Sequence, residues 1–443
     1  MTTRAHLAHL LRRATFGPRA DEVDAAERVG LDATVDTLVH PAGDDTGAAR
    51  TPVPQLGPDP VLALTVDGKA ADRGARQRAR QQRREQVRMI TLWWLDRMAQ
   101  ADHQFPEKLA FFWHGHWATS VQKVSVAGLM LAQQQTLFRL GRGDFGALVK
   151  AMLRDPALII WLDGQKNTRQ APNENLAREL MELFTLGIGN YTEDDVRQGA
   201  RALTGWQLDR APGTAVFRPA RADNGAKTIL GHTGAFDADG FADLLLAQPA
   251  NPEFLASRLW FRFASGDPIP AGTLSRLTAS YRPNRDLVAL ARALFTDPEF
   301  PDTAGHLVKQ PVEWAIGAAR QLGIRPGALA DREQRQLLQV LDALGQVPFQ
   351  PPSVGGWPAG AAWLTTSATQ VRLRAAEFLA GKADPSVRAK LTAVPAAQRP
   401  DVLARILVVD GFTDRTRAVL AQADGDPRRL LALGLASPEY TVM

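Results

Sequence analysis

Apolar residues recur at helical spacing through almost the whole chain, and Pro or Gly interrupts the pattern at short intervals. Stripes of that period can be buried only by packing helix on helix. Thr3–Ala14, Asp21–Val29 and Asp32–Val39 read as the first helices, and a long one should run from the N-cap Asp72 to Ala101. Pro106 suits the first turn of the next, and the period continues through 121–140, 144–154 and 156–162. It resumes from Asp239 and holds, apart from the Pro- and Gly-rich loop Pro348–Trp363, to about residue 436. The exception is 206–232. There Trp206-Gln207-Leu208, Ala215-Val216-Phe217 and Thr228-Ile229-Leu230 alternate with Pro and Gly turns. The expectation is a mainly all-α fold, one compact multi-helix domain over 1–443, with a small β-hairpin-like flap at 206–232. A mobile connector is expected at the Pro-, Gly- and Asp-rich stretch 41–60.

Composition excludes several classes. There is no Cys, so disulfides and thiolate metal sites are out. No run of about 18 apolar residues exists, so no membrane span is expected. The start, MTTRAHLAHLLRRATFG, lacks the apolar core of a signal peptide, which points to the cytoplasm. The net charge of +5 is mild, and only nine of the 52 basic residues are Lys. Seven Arg lie between Arg73 and Arg88 without interleaved aromatics, so a solvated helix face is expected there and no nucleic-acid partner. No Walker loop, GxSxG elbow or GxGxxG after a strand is present.

The densest chemistry lies in Asp163–Gly205. A helix should start at Pro172-Asn173 and stop at Gly187. On a wheel advancing about 100° per residue, Glu174, Asn175, Arg178, Glu179, Glu182 and Thr185 share one arc. Leu186 falls inside that arc, which suggests that something packs over it. A covered face with three carboxylates would need a cation, an Arg or a shared proton.

The runs Leu162-Asp163, Asn167, Pro172–Asn175, Ala177–Leu180, Thr185–Gly187 and Ala200–Trp206 resemble the bacterial family catalogued as domain of unknown function 1800. So do Leu11–Gly17, Phe112–Trp117 and Gly356-Trp357-Pro358, so the resemblance covers nearly the whole chain. It implies no particular reaction. It does imply that members are often exported, and that a His commonly precedes Asp223, where this chain has Ala222.

His114-Gly115-His116 lies among aromatics. On a continuous helix the two rings would point about 200° apart. Were the helix to end with Gly115 at C′, they could converge, and His114, His116 and Glu179 could then hold a divalent metal. The first functional reading is an acid–base or metal-assisted hydrolase acting on a polar substrate. It uses His114, His116, Glu179 and Glu182 for chemistry and Asn173, Glu174, Asn175, Arg178 and Trp357 for binding. The alternative is a non-catalytic interaction or scaffold protein, engaging a protein partner, whose polar cluster locks helices together.

Overall fold

The computed structural model describes residues 3–66, 72–209, 213–423 and 425–443. Among them are 25 α-helices and two separate two-stranded antiparallel sheets. The mainly helical architecture is as expected. The 206–232 stretch carries one hairpin, Trp206–Asp209 paired with Thr214–Phe217, and begins a second, Lys227–Ile229 paired with His232–Gly234. Residues 210–212, inside the expected flap, lie outside the described residues. The stretch 41–60, expected as a mobile connector, holds one short helix. Asp45 caps the short helix Thr46–Ala49 and also accepts hydrogen bonds from the backbone N–H groups of Asp102 and His103.

The long helix is Arg73–Gln100, with Asp72 as its N-cap accepting from Ala75 N–H at 2.7 Å. In its first half Arg73, Arg76, Arg78, Arg80 and Arg84 are exposed. Its second half buries Ile90, Trp94, Leu95 and Met98. Arg83 and Arg88 are half-buried and pair with Asp59 and with Glu85 and Asp331. No helix among the described residues is long and apolar enough to cross a membrane.

Two apolar clusters organise the chain. One gathers Phe112, Trp113, Trp117, Phe145, Phe184 and Phe263; the other gathers Trp94, Phe111, Trp314, Ile316, Phe349 and Leu431. Helix Gln104–His116 serves both, because Phe112 and Trp113 face the first cluster while Phe111 faces the second. A helix apolar on nearly all sides is one that other helices surround.

The central stretch departs from the expected regular helix. It is α-helical only over Asn175–Glu179 and then winds as a π-helical turn over Leu180–Thr185. Leu186 N–H reaches back five residues to Met181 O, at 2.9 Å. One inserted residue turns everything after it back by about 100°. Thr185 therefore leaves the polar arc, is fully buried, and donates its hydroxyl to Leu180 O at 2.6 Å. Leu186 is the C-cap, and Gly187, at φ +83, ends the segment. Leu186 is buried because of this winding, not because something covers the carboxylates.

Candidate functional site

The last carbonyls of a helix need partners from elsewhere. Here Phe184 O takes His116 Nε2–H at 3.1 Å, and Thr185 O takes Asn251 Nδ2–H at 2.9 Å. The central stretch is thus docked through its backbone end onto helices Gln104–His116 and Ala250–Phe263. Donation by Nε2 fixes the His116 tautomer and leaves Nδ1 as a lone-pair acceptor. That Nδ1 is buried and has no partner among the described residues.

The two His rings do not converge. The helix continues through His116, with Trp117 as its C-cap, so the convergent geometry considered from the sequence does not form. His114 sits against Trp94, Phe349 and Trp357, and its Nε2 accepts from Phe349 N–H at 2.9 Å. His116 instead sits among Phe112, Trp113, Trp117 and Phe184. Burial pushes both rings down to about 3, helped at His116 by the positive charge of Arg258. Both are therefore neutral at physiological pH.

The carboxylates stand apart from the rings. Glu182 accepts from Tyr191 Oη–H at 2.6 Å. Glu179 is raised by burial and then by neighbouring Glu182. Arg178 bridges Glu174 and Glu193, the latter at 2.7 Å, and so ties the central stretch to helix Glu193–Ala202. Asn173 Oδ1 accepts from Asn175 N–H, while Asn173 N–H donates to Asn167 Oδ1, so both Asn residues shape the helix start. Among the described residues no group of three or more His, Asp or Glu is placed to hold a metal ion, so His114, His116 and Glu179 do not form the ligand set considered above. Asp223 and Lys227 brace a turn: Arg201 Nε donates to Asp223 at 2.7 Å, and Lys227 Nζ donates to the Asp223 and Gly225 carbonyls.

What the fold does bring together is a cleft of about 90 Å³ beside His116. Helix Ala250–Phe263 supplies Arg258, Phe261 and Arg262, Gln310 comes from the N-cap of helix Pro311–Gln321, and Trp357 comes from the Pro- and Gly-rich loop. That loop presses backbone to backbone on the helix end. Gly356 has φ +84, and a Cβ there would lie 2.6 Å from Gly115 O. Three lining side chains carry a buried polar atom without a partner among the described residues: His116 Nδ1, Arg258 Nε and Trp357 Nε1.

The cleft is cationic. Arg262 pairs with Glu313 at 2.5 Å, and Lys108 pairs with the same carboxylate at 2.5 Å. Burial alone would raise Glu313, but Arg262 and Lys108 hold it far below the usual carboxylate range. Buried Arg13 adds a further positive charge nearby. Arg258 makes no ion pair or hydrogen bond with any described residue, and burial alone lowers its pKa. An unpaired guanidinium taken partly out of water is costly unless an anion meets it.

Of the residues singled out from the sequence, His116 and Trp357 line this cleft, and His114, Asn173, Glu174, Asn175, Arg178, Glu179 and Glu182 do not. Arg258, Arg262 and Gln310 were missed. The available signal was the Arg258–Arg262 pair at i,i+4 in ANPEFLASRLWFRF, a like-charge spacing that disfavours an isolated helix.

A family model described as protein of unknown function (DUF1800) matches residues 9–442 of the 443. No curated protein and no solved structure matches the chain.

Proposed function

We propose that this chain, which belongs to that family, binds a small anion, or the anionic end of a larger ligand, in the cleft formed by His116, Arg258 and Trp357. The observation that carries the reading is Arg258, a guanidinium partly withdrawn from water, without a carboxylate partner, in a cleft whose neighbouring charges are mostly positive. Arginine in that setting suits recognition of a planar or tetrahedral oxyanion. On this reading the arc of Glu174, Arg178 and Glu193 braces two helices, as in the non-catalytic alternative drawn from the sequence.

The test is a thermal-shift panel of inorganic phosphate, sulfate and acetate on the full chain and on Arg258→Met. Met keeps much of the side-chain volume and removes the charge. A bound anion should raise the wild-type Tm saturably, following RT ln(1 + [L]/Kd), and leave the variant unmoved. The variant without anion should melt at the same temperature as wild type or higher, since an uncompensated charge has gone. An anion-insensitive wild type together with a destabilised Arg258→Met would make Arg258 a packing residue and end the proposal.

A further inference from the structure

We infer that the groove between helices Arg73–Gln100 and Asp331–Ala343 holds an extended, acidic peptide segment of a partner protein. The groove measures about 510 Å³ and shares no lining residue with the cleft beside His116. Half-buried Val87, Leu338 and Val347 line it, together with Val121. The side-chain amides of Gln122, Gln339 and Gln350 line it too, and none makes a hydrogen bond with a described residue. An amide offers a donor and an acceptor together, the pair that a peptide backbone also presents. No aromatic residue lines the groove among the described residues, so the stacking platform on which single-stranded nucleic acid rests is missing.

The groove is held in shape from the core. Phe349, fully buried and at φ +67, occupies a left-handed conformation that side chains seldom adopt. His114 Nε2 accepts its N–H and Val121 N–H donates to its carbonyl, both at 2.9 Å. Phe349 therefore clips its loop to the short helix Val121–Val124, and Val347 and Gln350 on either side of it form groove wall. Such strain persists only where surrounding contacts hold it, and it gathers at ligand sites. Charge gives the acidic preference. Of the Arg residues lining the groove, Arg83 is engaged by Asp59 and Arg88 by Glu85 and Asp331, which leaves Arg84 without an ion pair among the described residues. Arg80 and Arg76 follow at i−4 and i−8, exposed and likewise without a carboxylate partner among the described residues. Four helical residues rise about 6 Å and two extended residues span about 6.7 Å, so acids at alternate positions of a strand meet this row in step. Asp342, the one acid lining the groove among the described residues, opposes them.

The experiment is fluorescence anisotropy on the full chain with a labelled peptide alternating Asp and Val, its Asn/Val counterpart, and oligothymidylate of the same charge. The Asp/Val peptide should bind roughly 10-fold tighter than the Asn/Val peptide, the worth of three exposed ion pairs, and lose that margin as ionic strength rises towards about 1 M. Arg80→Gln with Arg84→Gln, at exposed positions that hold no partner, should remove most of the margin without moving Tm. Asp342→Asn should tighten the Asp/Val peptide by about 2- to 5-fold and leave the Asn/Val peptide unchanged. Gln339→Trp, at an exposed helix position, fills the groove and should abolish binding of both peptides. Gln350→Trp, on the loop side, repeats that test should the first variant fail to fold. Peptide binding that survives the filled groove would sit on the Arg row alone and overturn the inference. Oligothymidylate binding as tightly as the Asp/Val peptide would overturn it in favour of nucleic acid, and absence of Asp/Val peptide binding would end it outright.

Discussion

Two buried lysines show how a single partner decides the worth of a charge. Lys108 lies against Glu313 and donates to Thr15 O at 2.7 Å, so its ammonium is compensated. Lys309 is 5% exposed, stands 3.5 Å over the Tyr440 ring, and among the described residues has no carboxylate in ion-pair contact. Burial, with Arg12 adding to it, pushes the Lys309 amine well below its ordinary range. The sign follows directly. Below the unfolded pKa of about 10.4 the unfolded chain holds this proton and the folded one resists it, so the group costs stability at neutral pH and costs less as pH rises. Lys309→Met should therefore stabilise the protein by roughly 1–3 kcal/mol at pH 7 and flatten the gain otherwise seen towards pH 9.5. Denaturant unfolding at both pH values measures it. Lys108→Met should do the reverse and destabilise by about 1–3 kcal/mol, because Glu313 and Thr15 O lose a buried donor while Arg262 still compensates the carboxylate. Loss of stability in Lys309→Met, with pH dependence unchanged, would mean that the amine is charged and held by a partner of real worth.

At the scale of elements, the cleft depends on how closely the loop around Trp357 can approach helix Gln104–His116. Gly356 permits that approach twice over, through its positive φ and through the space that a Cβ would take from Gly115 O. Gly356→Ala should cost roughly 2–4 kcal/mol, strain plus clash, read as a lower Cm at unchanged m, and should weaken the anion response along with it. Gly115→Ala is the control. A Cβ there meets nothing within 4 Å, and Ala is favoured over Gly inside a helix by about 1 kcal/mol. Equal effects of the two substitutions would refute the contact. The same pair shows what a sequence can and cannot disclose. The helix start at Asp72 was legible because capping is local chemistry. The π-helical turn was not, since its carbonyls are satisfied by His116 and Asn251, which lie 68 and 66 residues away. The site divides in the same way. His116 and Trp357 stand in conspicuous motifs, whereas Arg258 looks like any helical arginine until three distant segments meet around it. The carboxylate arc drew attention because its residues are adjacent in sequence, and adjacency on one helix face is also what ordinary salt-bridge bracing requires.

For the whole molecule, two apolar clusters share one buried helix, and titratable groups are trapped where that arrangement encloses them. Their opposing signs set the pH profile. His9, His114 and His116 are essentially unexposed, and burial pushes them to about 2, 3 and 3. The unfolded chain takes up these protons below its His pKa of about 6.5, so stability falls as pH drops through that value. Two buried carboxyls act the other way. Burial raises Glu107 to about 7 against its Arg97 partner, and raises Asp155 to about 6 despite bonds from Gln133 and Leu158. The folded state holds those protons where the unfolded state has lost them, which favours folding as pH falls from 7 towards about 4. Near pH 5 three protons bound on unfolding stand against nearly two released, a net of about one, so stability should decline by roughly 1.4 kcal/mol per pH unit. Removing both carboxyls as Glu107→Gln with Asp155→Asn leaves the histidines unopposed. The slope between pH 6 and 5 should then steepen towards three protons, about 4 kcal/mol per unit, whatever the substitutions do to stability at pH 7. Guanidinium unfolding of both proteins at half-unit pH steps gives the two slopes. Parallel curves would show that Glu107 and Asp155 are ionised in the folded protein, with Arg97 and the Asp155 cap bonds outweighing their burial.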